Sequence, residues 1–295
     1  MITSNIILMI LAFIGIFIAT IFDIKTKEIP NWLNFTLLTT ALAFLLFQTI
    51  ITWDLTPLIR GLVGLAIMLI VSNIFYYTKL FGGGDAKLLI ALGPTLPLQG
   101  VGNILHNTII PLATFIIVLL VIGFLWGIGA SAYLIISNWK SRGKEIKREL
   151  RKQNKKYRIL NIISITTALI LTSLAIGYSL YTLIILAALI ALIFPLTIYS
   201  KTIENTIMIR VKKISELREG DWISKNIKVG EDVIKSTFEG LTKNEIKHLR
   251  KHYKPNKELR IKEGIVFTPA FLITITLYVT LWHTTLNFNP PWFFT

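Results

Sequence analysis

The chain contains no cysteine, which excludes disulfides, cysteine-based zinc sites and a thiol nucleophile. Acids are scarce, with 16 Asp and Glu against 31 Lys and Arg and a formal net charge of +15 over 295 residues. Histidine is scarcer: His106, His248, His252 and His283 are scattered along the chain. Only His248 and His252 share an i, i+4 face. With no third ligand near them in sequence, a solvated helix face explains the pair better than a metal site. The first five residues lack a basic cluster and no small-x-small cleavage site follows the first apolar run, so that run is expected to be a retained helix rather than a cleaved leader.

What the chain does have is apolar length. It is 53% hydrophobic with a mean hydropathy of +0.64, and several runs approach the roughly 20 residues that cross a bilayer as helix. Spans are expected at 4–22, 31–51 and 57–78, with Pro30 suited to the start of the second. A fourth begins at Asp85 and is expected to be short or kinked, because Gly93, Pro94 and Pro97 interrupt it. An uncharged segment, 98–107, precedes a longer apolar stretch at 108–138. Two more spans, 159–176 and 180–199, flank a tight turn at 177–179. The last runs from about residue 264 to 286 and is followed by an uncharged tail.

Two charged regions divide this pattern. Residues 139–158 carry ten Lys or Arg against two Glu and are read as a basic cytoplasmic loop. Residues 201–263 mix charge with Ile and Val and are read as a small soluble module, β-rich at first, with the capping-box pattern Thr242-Lys243-Asn244-Glu245 opening a helix through about His252. The expected divisions are therefore a membrane core at 1–138, the basic loop at 139–158, two helices at 159–200, the soluble module at 201–263 and a final helix and tail at 264–295. The fold class is an α-helical polytopic membrane protein of about eight transmembrane helices with a small cytoplasmic α+β domain. Placing 139–158 inside puts residues 23–28, residues 79–87 and the module on the cytoplasmic side and both termini outside, which leaves almost no Lys or Arg on the outer face. The positive charge is then explained by orientation and by attraction to anionic lipid, without nucleic acid.

Within this frame two acids stand out. Asp23, in IFDIKTKEIPN, and Asp85, in LFGGGDAKLL, each lie where an apolar run meets charge, 62 residues apart and on the same predicted face. Gly82, Gly83 and Gly84 precede Asp85 and are expected to permit positive φ and close approach of an extended substrate. Two carboxyl groups sharing one proton can hydrolyse a peptide bond: the ionised group takes a proton from water while the protonated one polarises the carbonyl. Lys25 and Lys87, two positions from an acid, are assigned to lipid or substrate contact. Glu28 is read as a solvated first-turn acid and Asp54 as a loop residue on the outer side. The competing reading is a cation-coupled transporter or channel using the same acids, although transport acids usually lie near mid-membrane.

FDIKTKEIPN and FGGGDAKLLIALG resemble the two motifs of the prepilin peptidases, membrane aspartic proteases with a GxGD signature. GLTKNEIKHLRK and IKEGIVFTPAFLI are similar to the C-terminal region of the archaeal preflagellin and prepilin peptidase branch. The resemblance covers about residues 5–97 and 215–275. It implies an endopeptidase that removes the short basic leader of class III signal peptides from flagellin-like or pilin-like precursors at the cytoplasmic membrane face. It further implies Asp23 and Asp85 as the catalytic pair, Gly82 and Gly84 as motif glycines, and no metal or organic cofactor. The methyltransferase activity of bacterial relatives is not expected, because the cysteine-containing insert after their first span has no counterpart here.

Overall fold

The computed structural model describes residues 2–96, 103–177, 182–229, 232–237 and 240–287. Pro97, residues 98–102, residues 178 and 179 of the expected turn, and residues 288–295 of the tail lie outside these. The chain forms two compact units, one of Met1–Gly129 with Val266–Thr295 and one of Ala130–Ile265.

The first unit holds α1 (Ile2–Thr26), α2 (Asn31–Thr52), α3 (Thr56–Tyr77), α4 (Gly83–Leu92), the beginning of α5 (Ile104–Gly177) and α8 (Thr268–Asn287). Their starts follow local chemistry. Pro30, at φ −62° and ψ 136°, sets the entry to α2. Asp54 accepts the N–H and hydroxyl of Thr56 at the head of α3 (2.9 and 2.6 Å), and these bonds hold its carboxyl below the usual range. Met9, Ile16, Leu37, Met68, Leu89, Phe115 and Phe271 share one buried core drawn from all six helices.

Among the described residues, four helical segments are long and apolar enough to cross a membrane: Asn5–Thr26, Asn31–Thr52, Thr56–Tyr77 and Ile104–Leu174. This is a multi-pass membrane protein. α4 has ten residues, about 15 Å of helix, and stops at Gly93-Pro94 as the sequence implies. Its end crosses α3 closely, since a Cβ on Gly93 would stand 2.8 Å from the Leu65 Cα and 2.9 Å from the Gly64 carbonyl oxygen.

The basic stretch departs from expectation. Residues 139–158 are not a loop: α5 runs through them unbroken for 74 residues. Lys, Arg, Glu and Gln are good helix formers whatever their charge, and the stretch contains no proline and only Gly143. The chain reversal that about eight spans would need there is absent from α5.

The second unit contains the rest of α5, α6 (Thr182–Thr206) and a small mixed module. β1 (Ile209–Lys213), β2 (Trp222–Ile223) and β5 (Glu258–Lys262) form an antiparallel sheet in the order β1-β5-β2, and β3 (Ile227–Val229) pairs with β4 (Asp232–Ile234). α7 (Lys243–His252) opens with the expected capping box, Thr242 and Glu245 each bonding the other's backbone. His248 and His252 stack on this helix, with ring centroids 4.4 Å apart. Glu204 joins α6 to β5 by accepting from Lys262 at 2.7 Å. Burial works against its charge, but bonds from Lys201 and Lys262 outweigh it and hold the carboxyl below the usual range.

The Gly93 crossing is testable. Gly93→Ala forces the backbones apart and costs about 1–3 kcal/mol, read as a fall of several degrees in Tm in detergent. Gly127→Ala, which meets nothing within 4 Å, leaves Tm unchanged or raises it.

Candidate active site

Asp23 lies in the last turn of α1 and Asp85 in the first turn of α4. Each acid therefore sits at a helix end, where the backbone leaves the apolar run. Asp23 is 8% exposed and Asp85 is half-buried, and the Asp23 charge is close enough to act on Asp85 electrostatically.

The loop before Asp85 is built by the end of α3. Lys79 takes φ 62°, and the N–H groups of Leu80 and Phe81 both return to the Phe75 carbonyl, at 2.9 and 3.1 Å. This left-handed step satisfies helix-end carbonyls in the manner usually met with glycine. The three glycines permit positive φ but do not use it: Gly82 is extended at φ −70° and ψ 162°, and Gly83 and Gly84 belong to the first turn of α4. Their small size is what the geometry uses. A Cβ on Gly82 would stand 3.2 Å from the Asp85 Oδ2, and one on Gly84 would stand 3.4 Å from Ile29. Gly82 and Gly83 are exposed, so backbone beside Asp85 is open to an extended chain.

The two motifs touch through residues beside the acids. Ile29, six residues after Asp23, packs on Gly84. Lys87 donates from Nζ to Asn31 Oδ1 at 2.8 Å, joining the start of α4 to the start of α2. That bond gives Lys87 a protein partner beside its assigned lipid or substrate contact. Behind the loop, the Ser72 hydroxyl donates to the Ala86 carbonyl at 2.6 Å in a buried position.

The head of α8 completes the surroundings. Thr268, fully buried, donates from Oγ1 to Asp23 Oδ2 at 2.9 Å, and its N–H points to the same oxygen at 3.4 Å. Phe81 packs against Phe267 and Phe271, with ring centroids 5.2 and 5.9 Å away, and against Phe75 at 5.0 Å. Neither Thr268 nor Phe81 is singled out by the sequence reading. A signal for the first was present, since Thr268-Pro269 places a capping residue before the residue type best suited to open a helix. Phe81 is one of 17 phenylalanines and had none.

Comparison with known proteins bears on this arrangement. Residues 10–131 match a family model described as the type IV leader peptidase family. Less than half of the chain matches the leader peptidases. That match contains both acids and all three glycines, and the family is the one recognised from the two acidic motifs. Preflagellin peptidases align over the same scale: the Methanococcus maripaludis protein is 30% identical over 88 residues, which is 30% of this chain and 38% of the relative. The Methanocaldococcus jannaschii protein is 30% identical over 84 residues, 28% of this chain and 36% of the relative. The Methanococcus voltae protein is 29% identical over 84 residues, with the same two shares. The chain thus spans less than two-fifths of the curated relatives it matches. No solved structure matches it. The leader peptidase match ends before α8, which nevertheless packs within the same unit.

Phe81 is 3% exposed and anchors the loop that carries Asp85. Phe81→Ala therefore leaves a cavity among Phe75, Phe267 and Phe271 and costs about 3–5 kcal/mol. The check is thermal unfolding of the detergent-solubilised protein, where a shift no larger than that of an exposed Phe13→Ala control would refute the anchoring role.

Proposed function

We propose that this protein is a membrane aspartic endopeptidase that removes the short basic leader from flagellin-like or pilin-like precursors, with Asp23 and Asp85 as its catalytic pair. The observation that carries the reading is the packing together of two acid-bearing motifs whose acids lie 62 residues apart, with Ile29 against Gly84 and Lys87 bonded to Asn31, beside an exposed glycine backbone. The leader peptidase match over the same residues supports it.

In this reading water is the nucleophile. One carboxylate accepts a proton from water as the oxygen attacks the scissile carbonyl, while the protonated partner donates a hydrogen bond to the carbonyl oxygen. Collapse of the tetrahedral intermediate breaks the C–N bond as the departing nitrogen takes the proton that the first carboxylate accepted from water, which restores the singly protonated pair. Gly82 and Gly83 let the substrate backbone lie extended next to the pair. The active site faces the cytoplasm, a placement supported by Lys25 and Lys27 and by the Lys- and Arg-rich segment 139–158. Anionic lipid is the matching surface. Peptidase activity without methyltransferase activity is proposed on the short connection between α1 and α2, residues 27–30, and the lack of cysteine.

The test is cleavage of a precursor whose Lys- or Arg-rich leader ends in glycine, followed by mass in membranes containing the protein. Asp23→Asn and Asp85→Asn should each lower the rate by at least about 10²-fold while insertion and expression hold. Cleavage surviving either change would sink the aspartic mechanism. Absence of cleavage by the wild type, together with acid-dependent cation uptake, would instead establish the transporter reading.

A further inference from the structure

The segment that opens α8 touches both acid-bearing motifs, although it follows Asp85 by more than 180 residues. On the α1 side, Thr268 is clasped at both ends of its peptide unit. Its hydroxyl and N–H face Asp23 Oδ2 at 2.9 and 3.4 Å, and its carbonyl lies 3.4 Å from the Thr20 hydroxyl. On the α4 side, Phe267 and Phe271 hold Phe81, four residues before Asp85. The segment is itself fixed, because the Trp126 indole N–H donates to the Val266 carbonyl at 2.8 Å.

A carboxylate buried at a membrane helix end needs donors to define its orientation, and a hydroxyl at 2.9 Å on one oxygen leaves the other free to face a water. We propose that Thr268 is a positioning residue for Asp23, and that the first turn of α8 is the element that sets the geometry of the acid pair. This rests on the peptidase reading above. Thr268 touches neither substrate nor water in this scheme. It acts by holding the Asp23 carboxylate where a water can be activated, so its loss falls on kcat and leaves substrate binding alone.

The experiment compares Thr268→Val, which keeps the shape and removes the hydroxyl, with Thr268→Ser, which keeps the hydroxyl. Both are made in the full-length protein and assayed on the leader-bearing precursor beside wild type and Asp23→Asn. A displaced catalytic group costs from about tenfold to 10²-fold. Thr268→Val should therefore lower kcat by at least tenfold with KM unchanged, and Thr268→Ser should restore kcat to within about threefold of wild type. Equal kcat in Thr268→Val and wild type would overturn the proposal. So would equal losses in Val and Ser, or a loss confined to KM, since these mark packing or binding. Failure of wild type to cleave, or activity in Asp23→Asn, would strike the peptidase reading itself and is separable because those two samples are assayed in parallel.

Discussion

A carboxylate enclosed by apolar helices is costly unless hydrogen-bond donors meet it, and in this protein the donors for Asp23 come from the far end of the chain. Thr268 supplies a hydroxyl and a backbone N–H to one oxygen of the acid. Together with the Thr20 hydroxyl on the Thr268 carbonyl, this contact fixes where α8 begins relative to α1. The neighbouring phenylalanines then fix Phe81, and Phe81 in turn fixes the turn into α4. The polar bond sets direction and the aromatic packing supplies most of the stabilisation, since edge-to-face and tilted ring pairs add about 0.5–1.5 kcal/mol each beyond burial.

Around this contact the unit uses small residues and local turns to bring α4 near α3 and α2. Gly93 allows backbone approach to Gly64 and Leu65 at one end of the short helix, and Gly84 accommodates Ile29 at the other. The ten-residue α4 is thus gripped at both ends. A helix so short has little stability of its own, and its order derives from these two close approaches and the buried Leu88, Leu89 and Leu92.

Much of this was legible in the sequence. Apolar runs locate the first three helices and a capping-box pattern locates α7. The failures have physical causes. Residues 139–158 were read for the sign of their charge, which speaks to orientation, whereas their helix propensity determines local structure. The triple glycine signals conformational freedom as well as room for close approach, yet the positive φ falls on Lys79, where the end of α3 demands it. The Thr268 contact with Asp23 spans 245 residues, and no local pattern encodes a partner at that separation.

The division of the chain carries one more consequence, for the order of events during synthesis. The first unit is interrupted between Gly129 and Val266, so both acids enter the membrane long before their last neighbours exist. At roughly 5–20 residues per second, the intervening stretch takes on the order of ten seconds to translate. For that interval Asp23 lacks its Thr268 donors and Phe81 lacks two of its ring partners. Assembly of this neighbourhood is thereby coupled to synthesis of α8, and a nascent chain stalled before α8 would hold both motifs without Thr268 and the two phenylalanines that pack on Phe81.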